Sequence, residues 1–240
     1  TGLFTSPHLV DFSERIRVNG DMITPDALAE DISFLKQLAE GWEQPPTFFE
    51  LALAVALRHF RKNSVNFIIL ETGLGGRLDA TNAVPKDIAV LAPIGLDHQQ
   101  YLGDTLEEIA QTKSGIVKPG CTVVSARQQE NVRLILRKKA ESLNCIYTEA
   151  EPEQMSIEKE DYKGLTFSYK KYTNMQNHIA GECQRENLSV ALEVIESLRK
   201  LGYQIEEGAV RDGLDATRWA GRFTCLSEDP VVIVDGAHNE

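Results

Sequence analysis

Several absences bound this sequence before any motif is read. Its four cysteines, Cys121, Cys145, Cys183 and Cys225, include no Cys-x-x-Cys pair. That spacing fits neither a zinc site nor a small disulfide scaffold, and leaves thiols in a reducing cytosol as the expectation. No run reaches the ~18 apolar residues of a membrane span, and no charged start leads into an apolar signal core. Positive charge is short as well. With a formal net charge of −11 and no Lys/Arg stripe, a nucleic-acid partner is disfavoured. Aromatic residues are only 7% against 42% hydrophobic in 240 residues, enough for one sizeable α/β core or one large domain with appendages. An initiating Met is missing too. The chain opens inside "TGLFTSPHL" and closes on "VVIVDGAHNE", so both ends read as cut and a fragment is expected.

What is present is an alternation of strand-length apolar runs, "NFIILE", "DIAVLAPIG", "CTVVSA" and "VVIVDG", with helical patterns between most of them. This predicts an α/β fold with a mostly parallel sheet and flanking helices. Thr24 and Pro25 make an N-cap and first-turn pair, with Leu28, Ile32, Leu35 and Leu38 on one face. "TFFELALAVALRHF" is apolar nearly all round and reads as a deep helix. Residues 186–201 carry Leu188, Ala191, Leu192, Ile195, Leu198 and Leu201 at helical spacing, and Gly202 supplies the stop. The polar and then alternating segment from Glu149 to Tyr172 reads as a small β excursion at the sheet's edge.

"ETGLGGRLDATN" raises the possibility of a phosphate loop, but nothing matches GxxxxGK[ST], and the third glycine of GxGxxG is replaced by Leu78. What the stretch offers is Glu71 at a strand's carboxyl end, where ligands of open parallel sheets gather. Its plain alternative is an ion pair with Arg77. Asp97 and His98 read as a second strand-end pair able to ligate a metal. In "GDTLEEIAQTKSGIVKPG", Thr105 and Glu108 make a capping box, and Ile109, Ala110 and Lys113 then share the apolar face. A lysine there either snorkels to solvent or faces a site.

Taken in order, "GLFTSPHLVDFSERIRVNG", "TFFE", "ETGLGGRLDATN", "GLDHQQYLGDTLEEIAQTKSGIVKPG", "WAGRF" and "DGAHN" resemble the folylpolyglutamate synthase and dihydrofolate synthase family of Mur-type ligases. The resemblance implies a Mur-ligase-type central ATPase domain of P-loop-like fold over residues 1–234, lacking its phosphate loop. Residues 235–240 would begin the hinge to a C-terminal domain. It implies ATP-dependent addition of L-glutamate to a folate or dihydropteroate carboxylate through an acyl phosphate, in a cytoplasmic monomer without membrane or nucleic-acid partners. The alternatives are a Mur-type cell-wall ligase and a non-catalytic folate-binding relative. The fragment alone is expected to be inactive.

Carried over residue by residue, the resemblance makes Ser6, Glu71 and His98 ligands of Mg²⁺, an ion that prefers oxygen donors. It makes Lys113 the lysine carbamylated by CO₂ and, with Glu71 and His98, part of the catalytic group. Thr47, Phe49, Asp79 and Ala80 would hold the pteroate, Phe49 by stacking and Asp79 by accepting from the pterin amino and ring N–H groups. Asn187, Arg222, Asp235 and His238 would hold ATP. "TKSGIVKPG", "GECQREN" and "WAGRF" depart from the commoner "EKAGIIKPG", "GxHQxxN" and "WPGR", the second with Cys183 where His is usual.

Overall fold

The computed structural model describes residues 1–236. The chain divides into two compact units, Thr1–Pro85 and the part from Lys86 onward, each described by itself.

The first unit holds strands β1 (Gly2–Phe4), β2 (Ile16–Val18), β3 (Asp21–Met22) and β4 (Ile68–Leu70), in the order β3-β2-β1-β4, and helices α1 (Pro25–Leu38) and α2 (Phe48–Lys62). Only β1 and β4 run parallel, with Phe4 opposite Leu70; β1–β2 and β2–β3 are antiparallel. The apolar interior joins Phe4, Ile16 and Ile23 to Ala52, Leu53, Val55, Ala56 and Phe60 of α2. Removing each large side chain of this set from water stabilises the fold by about 1.5–3 kcal/mol.

Both helices differ from their sequence reading. Thr24 Oγ1 accepts from Ala27 N–H and starts α1 as expected, but Ile32 and Leu38 are exposed. The buried place on that face goes to Asp31, whose Oδ1 accepts from Arg58 Nε at 2.7 Å and Lys62 Nζ at 2.6 Å, both on α2. Leu28 and Leu35 of the expected stripe do pack against the core, and the ion pair shifts the inner face towards Asp31, leaving Ile32 and Leu38 outside. On α2, Phe48 and Leu51 are exposed, so the helix buries one face rather than its whole circumference.

The second unit contains β5 (Ile88–Leu91), α3 (Gln99–Leu102), α4 (Leu106–Lys113), β6 (Thr122–Ser125), α5 (Glu130–Ser142) and β7 (Ile146–Glu149). There follow β8 (Met155–Asp161), β9 (Gly164–Tyr169), β10 (Tyr172–Asn177), α6 (Gln184–Lys200), α7 (Glu207–Ala216), β11 (Thr224–Glu228) and β12 (Val231–Val234). Strands β5, β6 and β7 form a parallel sheet in that order. Alternation along β6 sends Val123 into the core shared with Ile109 of α4 and Val132, Leu136 and Ala140 of α5. Its neighbour Val124 points the other way, to Val190 and Val194 of α6. This is the expected parallel sheet with flanking helices.

Two expectations about the remaining strands need correcting. The β excursion is a three-stranded antiparallel sheet of its own, β8–β9–β10, running to Asn177, whereas Glu149 ends the parallel strand β7. The run "VVIV" is not a parallel strand but pairs with β11 in an antiparallel hairpin. The apolar run alone could not separate the two, because both pairings ask for β-branched residues.

The antiparallel sheet is fastened to α6 by apolar and polar contacts. Phe167, Tyr172 and Met175 pack with Leu188 and Leu192. Buried Glu193 accepts from Tyr169 Oη at 2.9 Å and Lys170 Nζ at 2.7 Å, and the buried Tyr169 phenol is pushed up to about 12. Glu196 accepts from Tyr172 Oη and Arg199 Nη1, both at 2.6 Å. The cysteines are free thiols, as expected, although Cys121 and Cys145, which precede neighbouring strands, bring their sulfurs to 3.8 Å.

Candidate active site

In the first unit the candidate site grows from the carboxyl ends of the parallel pair. β1 runs into Thr5 and Ser6, and β4 into Glu71, so the two loops leave the sheet side by side. Ser6 N–H donates to Glu71 Oε2 at 2.7 Å, and Glu71 N–H donates to the Phe4 carbonyl at 2.9 Å. Ser6 and Glu71 are thus brought together, each offering hard oxygen.

The loop after Ser6 is shaped by one carboxylate. Glu14 accepts from the amides of Leu9, Val10 and Asp11, all at 2.9 Å, and these bonds hold its carboxyl down at about 2. Asp11 returns the favour by accepting from Ser13 N–H. The pair makes a capping box around the short turn Phe12–Arg15. The spacing "DFSE" is the sequence signal for it.

The glycine loop is organised the same way. Asp79 Oδ2 accepts from Gly73 and Leu74 N–H, while Oδ1 accepts from Thr81 N–H and Thr81 Oγ1. Four donors fill the carboxylate, so Asp79 anchors the loop and has no open lone pair for a pterin. Gly75 has φ +73°, the left-handed region in which a side chain is strained. Gly73 is needed for a different reason: a Cβ there would meet the Phe49 ring at 2.6 Å. The close approach at Gly73 is therefore to the Phe49 ring. Phe49 also packs on Phe4, with ring centroids 5.5 Å apart, and belongs with Ala80 to the edge of the apolar core. Thr47 caps α2 in a capping box with Glu50. The exposed ring of this segment is Phe48 rather than Phe49.

In the second unit Asp97 and His98 lie beyond β5, in the loop leading to α3, rather than at the strand's end. His98 has φ +51° and donates its N–H to Asp97 Oδ1 at 2.7 Å. Helix α4 starts on the predicted capping box, Thr105 Oγ1 accepting from Glu108 N–H. With that phase fixed, Ile109 and Ala110 are buried and Lys113 ends the helix half-buried. Burial pushes the Lys113 ammonium below its ordinary range, and the Asp97 charge pulls part of the way back. Asp97 thus holds the His98 amide, and its charge acts on Lys113.

The nucleotide candidates fall at two places in this unit. Asn187 is on the first turn of α6, its Nδ2 donating to Gln184 Oε1 at 3.3 Å. Asp235 Oδ2 accepts from Phe223 N–H at 3.2 Å, and Gly236 N–H donates to the Gly221 carbonyl at 2.7 Å, which brings the strand end carrying Asp235 beside exposed Arg222. His238 lies outside the described residues. Among the described residues no three His, Cys, Asp or Glu side chains form a metal-holding group.

Residues 29–195 match the Mur ligase middle domain. The chain belongs to that family. The whole chain also aligns with the dihydrofolate synthase/folylpolyglutamate synthase of Bacillus subtilis at 36% identity, covering 58% of the relative's length. The corresponding protein of Escherichia coli is 34% identical over 99% of this chain and 54% of its own. Among solved structures, an FPGS–AMPPCP–folate complex superposes with a TM-score of 0.90 at 28% identity, over 99% of this chain and 61% of that one. Escherichia coli FolC with ADP gives 0.84 at 32%, over 99% and 56%. This Mur ligase middle domain therefore spans somewhat over half the length of the curated relatives it matches.

Proposed function

We propose that the protein is an ATP-dependent ligase that joins L-glutamate to the carboxylate of a folate or dihydropteroate. A substrate carboxylate oxygen attacks the γ-phosphorus of ATP and ADP leaves; the glutamate amine then attacks the acyl carbon and phosphate leaves. The observation that carries the reading is the Ser6–Glu71 pair, fixed where two parallel strands end. It stands within a chain similar over its full length to folylpolyglutamate synthases.

Phosphoryl transfer between anions asks for positioning and positive charge more than for covalent help. A hydroxyl and a carboxylate oxygen are donors of the kind Mg²⁺ takes, so Ser6 and Glu71 fit that ion; His98, the less usual nitrogen donor, is carried over as a ligand on the family resemblance alone. When bound, Mg²⁺ supplies charge neutralisation at the phosphates. Lys113 suits carbamylation, because addition to CO₂ needs the neutral amine and burial already disfavours the ammonium. Arg222 and Asp235 suit the phosphates and ribose of ATP, Asn187 and His238 completing that set. Thr47, Asp79 and Ala80 shape the pteroate side through helix start and loop rather than by open polar groups.

No helix among the described residues is long and apolar enough to cross a membrane. We place the enzyme in the cytoplasm as a monomer. The test is turnover of dihydropteroate or tetrahydrofolate with glutamate and ATP by the intact protein, read as ADP release and product mass. Turnover only of a nucleotide-linked muramyl peptide would move it to cell-wall synthesis, and folate binding without ADP release would make it a non-catalytic relative. The 240-residue chain by itself, which has no GxxxxGK[ST] motif, should release no ADP.

A further inference from the structure

Two arginines of the first unit lie on phenylalanine rings, and they differ in one respect. Arg58 has its guanidinium 3.6 Å from the Phe34 ring centre and its Nε 2.7 Å from Asp31 Oδ1. Arg15 is only 8% exposed and has its guanidinium 5.6 Å from the centre of the Phe48 ring and 5.9 Å from that of Phe12, yet no carboxylate comes within ion-pair distance of it among the described residues. The acids nearest in sequence are occupied, Glu14 by three amides and Asp11 by Ser13.

Arg15 Nε donates to His8 Nδ1 at 2.8 Å, which fixes the plane of the fork. The two Nη groups make no hydrogen bond to any described residue. They are not sealed in either, since among the described residues the one fully enclosed side-chain nitrogen or oxygen without a partner is Asp31 Oδ2. A guanidinium held against rings with its fork open is costly unless an acceptor arrives, and a planar fork matches a carboxylate. Beside it Phe48 is 63% exposed, and Leu9 and Val10 of the adjoining loop are exposed as well.

We infer that Arg15 is a specificity residue that takes a carboxylate of a flat aromatic acid through its Nη groups, while the free face of Phe48 carries the ring. The inference rests on the proposed function and deepens it. The carboxylate in question is one that is not activated: the reacting carboxylate must become neutral on its way to the acyl phosphate, whereas a standing cation rewards a charge that persists. In a folate that charge is the α-carboxylate of the glutamate already attached. Arg15 therefore favours extension of a pteroylglutamate over the first addition to pteroate.

The test is binding to the intact protein of three probes, pteroylglutamate, its α-carboxamide and pteroate, followed by titration calorimetry. The native protein should bind pteroylglutamate about tenfold more tightly than either other probe, the size of one charge-assisted pair. Arg15→Gln should remove that preference while changing pteroate affinity less than twofold, Arg15→Lys should restore part of it, and Phe48→Ala should weaken all three probes alike. In turnover, Arg15→Gln should raise KM for pteroylglutamate and leave kcat within twofold. Equal binding of the acid and its α-carboxamide by the native protein overturns the inference without needing any variant to fold, as does an unchanged preference in Arg15→Gln. Failure of the native protein to bind any pteridine acid overturns the proposed function and takes the inference with it.

Discussion

The loops of the first unit and the β5–α4 region of the second treat their charged groups in opposite ways. In the former, Glu14 and Asp79 are filled by backbone amides, and Glu71 holds the Ser6 amide. In the latter, Lys113 is half-buried with burial working against its charge and a single carboxylate, Asp97, acting for it. Saturated carboxylates fix loop shape. Groups left short of partners are the ones whose state a ligand or a chemical modification can change.

The widest gap between the two regions should come from Lys113. Lys113→Met is expected to lower turnover by ~10²-fold or more, as loss of a positioned charged group does, measured as ADP release by the intact protein. In the uncarbamylated protein it should also stabilise the fold at neutral pH, read as a higher urea midpoint, because a half-buried ammonium is replaced by a thioether. The sign with pH follows from a folded value below the ordinary 10.5: the penalty is full at low pH and fades as pH rises from the folded value towards 10.5. Stability of the native protein should therefore climb in alkali, and the Met variant should lose that slope.

Asp79→Ala tests the saturated side. Three amides and a hydroxyl lose their acceptor, so we expect a stability loss of about 2–3 kcal/mol and a disordered glycine loop, visible by urea titration and proteolysis. A raised KM for the pteridine with unchanged stability would instead mean that Asp79 faces substrate. Thr47→Ala removes an N-cap and should cost about 1 kcal/mol, with Thr47→Ser close to native.

The smallest effect belongs to Glu14, whose folded value of about 2 lies below the ordinary 4.5. Its contribution is present above 4.5 and lost as pH falls through 2, so the amides of Leu9, Val10 and Asp11 should keep their hydrogen-exchange protection down to about pH 3. Loss of protection near pH 4.5 would show that the carboxylate is not engaged.

Much of the second unit was legible in sequence, because period and punctuation agree there. Thr105 and Glu108 set the phase of α4, and that phase alone turns Lys113 inward. The parallel strands β5 and β6 were equally plain. What escaped depends on contacts that no local pattern encodes. Asp31 replaces Ile32 on the inner face of α1 only because Arg58 and Lys62 come from another helix. The occupancy of Asp79 depends on how a loop folds back on itself, and the choice between Phe48 and Phe49 on where Phe4 and Gly73 lie. Arg15 gave no signal because arginine is usually exposed, although the "DFSE" capping box just before it was there to be read.

Helix α6 offers Val190 and Val194 to the parallel sheet and Leu188, Leu192 and Ile195 to the antiparallel one. One rigid rod thus forms a wall of two interiors, and neither can accept a larger or smaller side chain without shifting the wall of the other. Substitutions accumulating in the antiparallel sheet should consequently be compensated across the helix, at Val124 or Ala150, so that two cores sharing no strand drift together through evolution.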